Sequence, residues 1–165
     1  MGTLRFGAEQ AINKCLRVAD GERVVLITDE STKEIGDVLS EVAKIRTPNL
    51  TRFVMEEMGS RPENGENPLA FPAAVAKAFA ASDVSIYAAS GKRGELKSFR
   101  SPMLQAVESN ERLRHAHMIN ITREIMETGM SADYDVIQAL SAKVLSIVKN
   151  ARHVRVTSPA GTDFT

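Results

Sequence analysis

Residues 21–43, GERVVLITDESTKEIGDVLSEVA, decide the fold class of this chain. They contain the run RVVLITD, a short, continuous and largely β-branched stretch that is typical of a strand covered on both faces, as in a parallel sheet. Ser31 and Glu34 then have the spacing of a capping box, which predicts that a helix starts here with Ser31 as its N-cap. The apolar stripe of that helix is predicted at Ile35, Val38, Leu39 and Val42.

The rest of the sequence repeats this order of strand and helix. Further strands are predicted at LTRFVM (50–55), DVSIYAA (83–89), LRHAHMIN (113–120) and HVRVTS (153–158). Strands that alternate with helices indicate parallel strands joined by right-handed crossovers. The predicted fold is therefore α/β: an open, mostly parallel, doubly wound (Rossmann/flavodoxin-like) sheet of about five strands, with helices on both faces.

More detailed predictions concern three segments outside these strands. Ala8, Ile12, Cys15, Leu16 and Ala19 have helical spacing, which predicts one buried helix face that includes Cys15 as a small apolar residue. The stretch EEMGSRPENGENP (56–68) is predicted to be a long solvated loop. In the last long helix, the inward-facing residues are predicted to be Ile137, Leu140, Val144 and Val148.

Composition narrows the class of protein. The 165 residues include 21 basic and 21 acidic side chains, so the formal net charge is zero. The chain therefore has no net positive charge that would attract nucleic acid. The single cysteine excludes an internal disulfide, and no apolar run approaches the roughly 20 residues of a membrane helix. The first ten residues lack a secretory pattern. We therefore expect a cytoplasmic protein without nucleic-acid or membrane partners.

Two short motifs could carry chemistry. SGKRGE follows the third predicted strand, so the backbone N–H groups of Ser90, Gly91 and Gly94, with the charges of Lys92 and Arg93, could bind an anion. The motif matches neither established phosphate-loop pattern, so an ordinary exposed turn is the alternative. His115 and His117 alternate on the fourth strand and face the same side, a spacing that metal sites use, although no third ligand is evident.

Three stretches in this order and spacing resemble the N-terminal half of the aminopeptidase T family of metallopeptidases. They are residues 21–43, GMSADYDVI (129–137) and VRVTSPAGTDFT (154–165), and the last two are the more specific because helix or strand periodicity does not require them. The sequence departs from the family at SGKRGE, where relatives tend to carry Ser, Thr and His and this chain has Lys92, Arg93 and Glu95.

The resemblance implies a cytoplasmic, usually dimeric exopeptidase of two domains that uses a pair of divalent metal ions, such as zinc or cobalt. The family's metal ligands belong to the C-terminal domain. The resemblance therefore implies no catalytic or metal-binding residue in this chain, with residues 1–157 as the α/β domain and 158–165 as the start of a connection to a second domain. The implied partners are that C-terminal domain or a homodimer partner, with a peptide or small molecule as ligand.

Two functions remain open at this point. The first is a peptidase domain that forms a wall of the substrate cleft and supports the dimer. The second is a stand-alone small-molecule or anion-binding domain that uses the 90–94 loop. A related group with the same architecture opens aromatic rings with iron, so the resemblance does not decide the reaction of a full-length parent.

Overall fold

The computed structural model describes residues 2–165, which form two compact units. One unit extends to Ser131 and the other comprises Ala132–Thr165. None of the helices in the described part of the chain is long and apolar enough to span a membrane.

A four-stranded parallel sheet organises the first unit. Its strands are β1 (Val24–Thr28), β2 (Leu50–Val54), β3 (Val84–Ala88) and β4 (Arg114–His117), in the spatial order β2-β1-β3-β4. Val24 pairs with both Leu50 and Val84, so the central strand is in register with its two neighbours. Every residue of β1 and β3 is buried, as expected for strands covered on both faces. The predicted α/β fold class is confirmed.

Helices cover both faces of this sheet. They are α1 (Leu4–Glu9), α2 (Lys33–Arg46), α3 (Met55–Met58), α4 (Ala73–Ala81), α5 (Ser101–Glu108) and α6 (Arg123–Glu127). Residues of α1, α2 and α6 form one apolar core with alternate residues of the strands, including Leu26 and Ile86. Residues of α4 and α5 form the other core with the intervening strand residues, including Ile27 and Tyr87. The alternation follows from the two-residue period of a strand.

The predicted position of Cys15 is wrong, because the first helix widens. After α1 the backbone forms a π-helical segment, Gln10–Cys15, in which the Leu16 N–H donates to the Ala11 carbonyl. A turn with five-residue spacing rotates the following side chains relative to an α-helix. Ile12 and Leu16 remain buried, whereas Cys15 is exposed.

The start of α2 also differs from the prediction. The N-cap is Thr32 rather than Ser31, and its side chain makes no capping hydrogen bond. The Ser31 hydroxyl instead donates to Asp29, and Glu34 pairs with Arg123. The capping box is therefore absent, because both of its side chains take other partners.

The segment predicted to be a solvated loop is only partly solvated. Its beginning lies in the short helix α3, and Met55 at the start of that helix is fully buried. Arg61, in the middle of the segment, is 7% exposed. A charged residue this deeply buried needs partners, and they define the site described below.

The second unit consists of helix α7 (Tyr134–Val148) and a hairpin of β5 (Val156–Thr157) and β6 (Asp163–Phe164). Asp133 caps the helix by accepting from the N–H groups of Asp135 and Val136. The predicted fifth strand therefore pairs antiparallel with β6 and not with the parallel sheet, which has four strands. The predicted inward orientation of Ile137, Leu140, Val144 and Val148 is also wrong, because all four are exposed.

Candidate functional site

The carboxyl ends of β1 and β3 create a crevice between adjacent strands. The chain leaves β1 toward α2 on one face of the sheet and leaves β3 toward α5 on the other face. The place where these two loops diverge is the topological switch point, and open parallel sheets bind ligands there. An open crevice of about 380 Å³ lies here, lined among others by Ser31, Ser90, Asn120 and Arg123.

Asp29 joins the two loops at this point. It directly follows β1, is 1% exposed, and accepts from the backbone N–H of Thr32 at 2.9 Å and of Ser90 at 2.7 Å. The Ser31 hydroxyl donates at 2.7 Å to Oδ1, the oxygen that also accepts from Thr32, and lies 2.6 Å from the Ser90 hydroxyl. One carboxylate thus holds the loop after β1 against the loop after β3.

Arg61 binds this carboxylate from the long segment between α3 and α4. Its side chain is 2% exposed, and its Nη1 lies 3.0 Å from Asp29 and 2.8 Å from Glu56. Nε and Nη2 donate to the two oxygens of Glu95 at 2.6 and 2.8 Å, in the bidentate geometry that guanidinium groups favour. Nη2 also donates to the Ser90 carbonyl. We refer to Arg61, Asp29, Glu56 and Glu95 as the Arg61 cluster.

The protonation states of the cluster follow from these contacts. Burial disfavours the charged form of Asp29, but hydrogen bonds from Ser31, Arg61 and the Ser90 N–H outweigh it and lower the pKa of Asp29 to about 2. Burial likewise opposes the ionisation of Glu95, and the hydrogen bonds of Arg61 nevertheless lower its pKa. Burial opposes the charge of Arg61 too, and its three carboxylate partners still raise its pKa. Asp29, Glu95 and Arg61 are therefore ionised at neutral pH.

The 90–94 loop uses its polar groups within the protein. The N–H of Ser90 binds Asp29, that of Gly91 donates to Asn120 at 2.8 Å, and that of Lys92 donates to Glu95 at 3.1 Å. The Lys92 ammonium pairs with Glu63 at 2.5 Å. The loop therefore places three of its N–H groups on acceptors of the protein itself, an arrangement that does not favour the anion-binding alternative.

The last two residues of this loop are Arg93, whose side chain packs on another segment, and Gly94, whose backbone has an unusual conformation. Arg93 is exposed, and its side chain packs against Gly65, where a Cβ would come within 2.8 Å of it. Gly94 has φ +86°, a left-handed conformation that favours glycine. Anion binding by residues 90–94 stays a prediction.

His115 and His117 lie together on β4, as their spacing predicts. Their rings are 5.7 Å apart, with His115 Nε2 3.4 Å from His117 Nδ1 and His115 Nδ1 2.8 Å from the Ser85 hydroxyl. His117 stacks on Tyr87 at 5.1 Å. Across residues 2–165, no three His, Cys, Asp or Glu side chains form a group that could hold a metal ion.

Both imidazoles are held neutral. Burial lowers the pKa of His115 to about 4, and the neighbouring His117 contributes to the shift. Burial also lowers the pKa of His117, and the charge of Arg100 adds to the effect. The pair therefore forms a neutral, hydrogen-bonded chain that continues from Ser85 through His115 to His117.

Sequence reasoning did not identify the Arg61 cluster. The loop after the third strand was predicted as a place for chemistry. Asp29 directly follows the largely apolar first strand, and a charged residue at that position is a signal that the sequence contains. Arg61 carries no such signal, because it lies in a segment rich in Glu, Gly and Pro whose path over the sheet has no sequence pattern. Its partner Glu95 is 34 residues away along the chain.

The fold and the switch-point crevice define a doubly wound α/β domain, and comparisons with known proteins agree with this class. No protein-family model matches the chain, and no curated protein sequence matches it. Among solved structures, wild-type AmpT from Thermus thermophilus is similar, with a TM-score of 0.52 and 13% identity. The similarity covers 92% of this chain and 49% of AmpT, so the chain spans about half of that protein's length. At this identity the comparison shows a shared fold.

Proposed function

We propose that this chain is the N-terminal α/β domain of an aminopeptidase T-like metallopeptidase. In this role it forms one wall of the substrate cleft and supports the dimer, while the metal ligands belong to another domain. The observation that carries the proposal is the structural similarity to AmpT, which extends over nearly the whole chain and half of that enzyme. The sequence resemblance in residues 129–137 and 154–165 supports the same relationship.

The Arg61 cluster supports a structural role for the carboxylates near the crevice. A pair of divalent metals needs several carboxylate and imidazole ligands that are available to the ions. Asp29, Glu56 and Glu95 lie at this edge of the sheet, and all three bind Arg61. They organise the loops that would line the cleft, and metal chemistry would require ligands from elsewhere.

The first experiment concerns the gene and its product. We expect the coding sequence to continue beyond Thr165 into a domain with Glu, His and Asp ligands, and the full-length protein to hydrolyse amino-acyl anilides when zinc or cobalt is added. The 165-residue chain under the same conditions should show no turnover. Metal-dependent hydrolysis by this chain alone, or a stop codon directly after Thr165, would overturn the proposal.

The second experiment tests the cleft wall in the full-length protein. Arg93→Glu changes an exposed charge in the loop at the carboxyl ends of the strands, and Lys44→Glu makes the same change in exposure and charge near the last turn of α2, at the opposite edge of the sheet. We expect Arg93→Glu to change KM for peptides at least threefold with little change in kcat, and Lys44→Glu to change neither. Equal effects of the two variants would contradict the cleft-wall role.

A further inference from the structure

Arg100 is a half-buried arginine that lacks an acidic partner. Among residues 2–165, three arginines are buried or half-buried: Arg52, Arg61 and Arg100. Arg52 pairs with Asp37 at 2.6 Å, and Arg61 pairs with three carboxylates. Within the same residues the Arg100 guanidinium makes no ion pair, and its Nε is buried without a hydrogen-bond partner. A charged group withdrawn from water is costly unless an opposite charge accompanies it, so Arg100 points to an anion that the chain does not supply.

The backbone holds Arg100 in an unusual turn. Arg100 ends a π-helical segment, Leu96–Arg100, that leads directly into α5. Pro102 has no N–H for the Ser98 carbonyl, which accepts instead from the Phe71 N–H at 2.9 Å. This bond ties the widened turn to a neighbouring segment. Short π-helical segments are rare and are frequently found at functional sites.

His117 is the second polar group near this guanidinium. Its ring stacks on that of Tyr87 with 5.1 Å between the ring centres, and the Tyr87 ring lies 6.2 Å from that of Phe99, the residue before Arg100. Burial and the positive charge of Arg100 both lower the pKa of His117. Among the described residues, no carboxylate raises the pKa of His117 or of His115. The surroundings of Arg100 are therefore positive or neutral.

The hydrogen bonds of the histidine pair leave one ring nitrogen available. His115 uses Nδ1 for the Ser85 hydroxyl and Nε2 for Nδ1 of His117. Nε2 of His117 has no partner in the part of the chain that the structure describes, and the residue is exposed. A ligand can therefore contact this nitrogen without breaking the hydrogen bonds of the pair.

We propose that Arg100 and His117 bind a phosphate group, either as inorganic phosphate or as part of a small phosphomonoester. A guanidinium offers parallel N–H donors that match two oxygens of a phosphate, and an imidazole N–H can donate to a third oxygen. A phosphomonoester carries about −1.5 to −2 charge at pH 7. It therefore matches a site that contains one permanent cation and one imidazole that can gain a proton.

The proposed phosphate site is independent of the functions considered above. Arg100 and His117 both belong to the unit that extends to Ser131. The site uses no residue of the 90–94 loop and no metal ion. It can therefore hold in a protein that is no peptidase and can fail in one that is.

Calorimetric titration of the 165-residue chain with inorganic phosphate, at constant ionic strength, tests the site directly. We expect one phosphate per chain, with a dissociation constant of about 1 mM or lower. Arg100→Gln should weaken binding roughly tenfold or more, and His117→Gln about threefold. Arg112→Gln removes an exposed arginine and should change the affinity less than about twofold. No saturable binding, or equal losses in Arg100→Gln and Arg112→Gln, would overturn the proposal.

Two further ligands test the chemical class. Acetate carries a single charge and should bind roughly tenfold more weakly than phosphate. Acetate binding as tight as that of phosphate would overturn the assignment to phosphate. Methyl phosphate separates the two sources of the phosphate group. Tighter binding of methyl phosphate would identify a phosphomonoester as the ligand, and tighter binding of inorganic phosphate would identify the free ion.

Thermal unfolding tests whether Arg100 lacks a partner in the free protein. Without phosphate, Arg100→Gln should be at least as stable as the wild type, because the replacement removes a half-buried charge that no carboxylate compensates. Phosphate should raise the unfolding midpoint of the wild type but not that of Arg100→Gln. Marked destabilisation of the variant without phosphate would show that a group of the chain already binds this guanidinium, and the proposal would then be wrong.

Discussion

Replacing Arg61 by methionine tests whether the Arg61 cluster holds the loops at the switch point. The methionine side chain reaches only as far as the arginine Nε and carries no charge, so Asp29 and Glu95, each 1% exposed, lose their guanidinium partner. Breaking a buried ion pair from one side costs about 3–5 kcal/mol, because the remaining charge is buried without compensation. In urea this corresponds to a fall of roughly 2 M in the unfolding midpoint.

The effect should depend on pH in a defined direction. In the wild-type chain the pKa of Asp29 is about 2, below its ordinary value of 3.8, so its stabilising contribution is complete above pH 3.8 and is lost as the pH falls toward 2. Without Arg61, burial raises the pKa of both carboxyls. As the pH falls, protonation neutralises these buried carboxylates and so removes part of the destabilisation of the variant. The difference in unfolding free energy between wild type and variant should therefore shrink from pH 7 to pH 4.

Arg112→Met is the matched control. The Arg112 side chain is exposed and makes no hydrogen bond or ion pair within residues 2–165, so its replacement should change the unfolding free energy by less than about 0.5 kcal/mol. A loss below about 1 kcal/mol for Arg61→Met, or a difference from wild type that stays constant between pH 7 and pH 4, would refute the reasoning.

Two further predictions concern the histidine pair and a close helix contact. Because the pKa of His115 is about 4 when folded and 6.5 ordinarily, its contribution to stability is lost as the pH falls from 6.5 toward 4, by about 2 kcal/mol between pH 7 and pH 5. His115→Gln should remove most of this dependence in urea unfolding. Gly7→Ala would put a Cβ 2.3 Å from the carbonyl oxygen of Met126 and should cost about 1–3 kcal/mol. Gly129→Ala meets no atom within 4 Å and should change stability by less than about 0.5 kcal/mol.

Each of these two predictions has an outcome that contradicts it. An unchanged pH profile in His115→Gln would show that the imidazole is not held neutral by burial. If Gly7→Ala is as stable as Gly129→Ala, α1 and α6 do not approach as closely as the structure shows. Urea unfolding of all variants at a single protein concentration provides the comparison.

The sheet could be predicted because its signals are local. The runs at Val24–Thr28 and Val84–Ala88 are short, largely apolar and rich in β-branched residues, which is typical of strands covered on both faces, and both are fully buried. In the predicted fifth strand apolar and polar residues alternate, but this pattern does not indicate which strand it pairs with. Val156 and Thr157 pair with the short strand that follows them in sequence.

The position of individual side chains was less predictable. Helical periodicity predicted the helix α7, but the residues that it predicted to face inward are exposed. Cys15 shows a related failure, since one π-helical turn changes the direction of a residue that an ideal helix would bury.

The amino-acid sequence by itself determined the alternation of strands and helices, and with it the parallel sheet, because periodicity and turn residues act over a few neighbouring positions. It also determined that the loops after β1 and β3 lie at the same edge of the sheet, since parallel strands all end at one edge. Only the tertiary structure decided that Arg61 lies between Asp29 and Glu95. A buried charge takes the partners that the folded chain brings within about 3 Å, and that proximity has no local trace in the sequence.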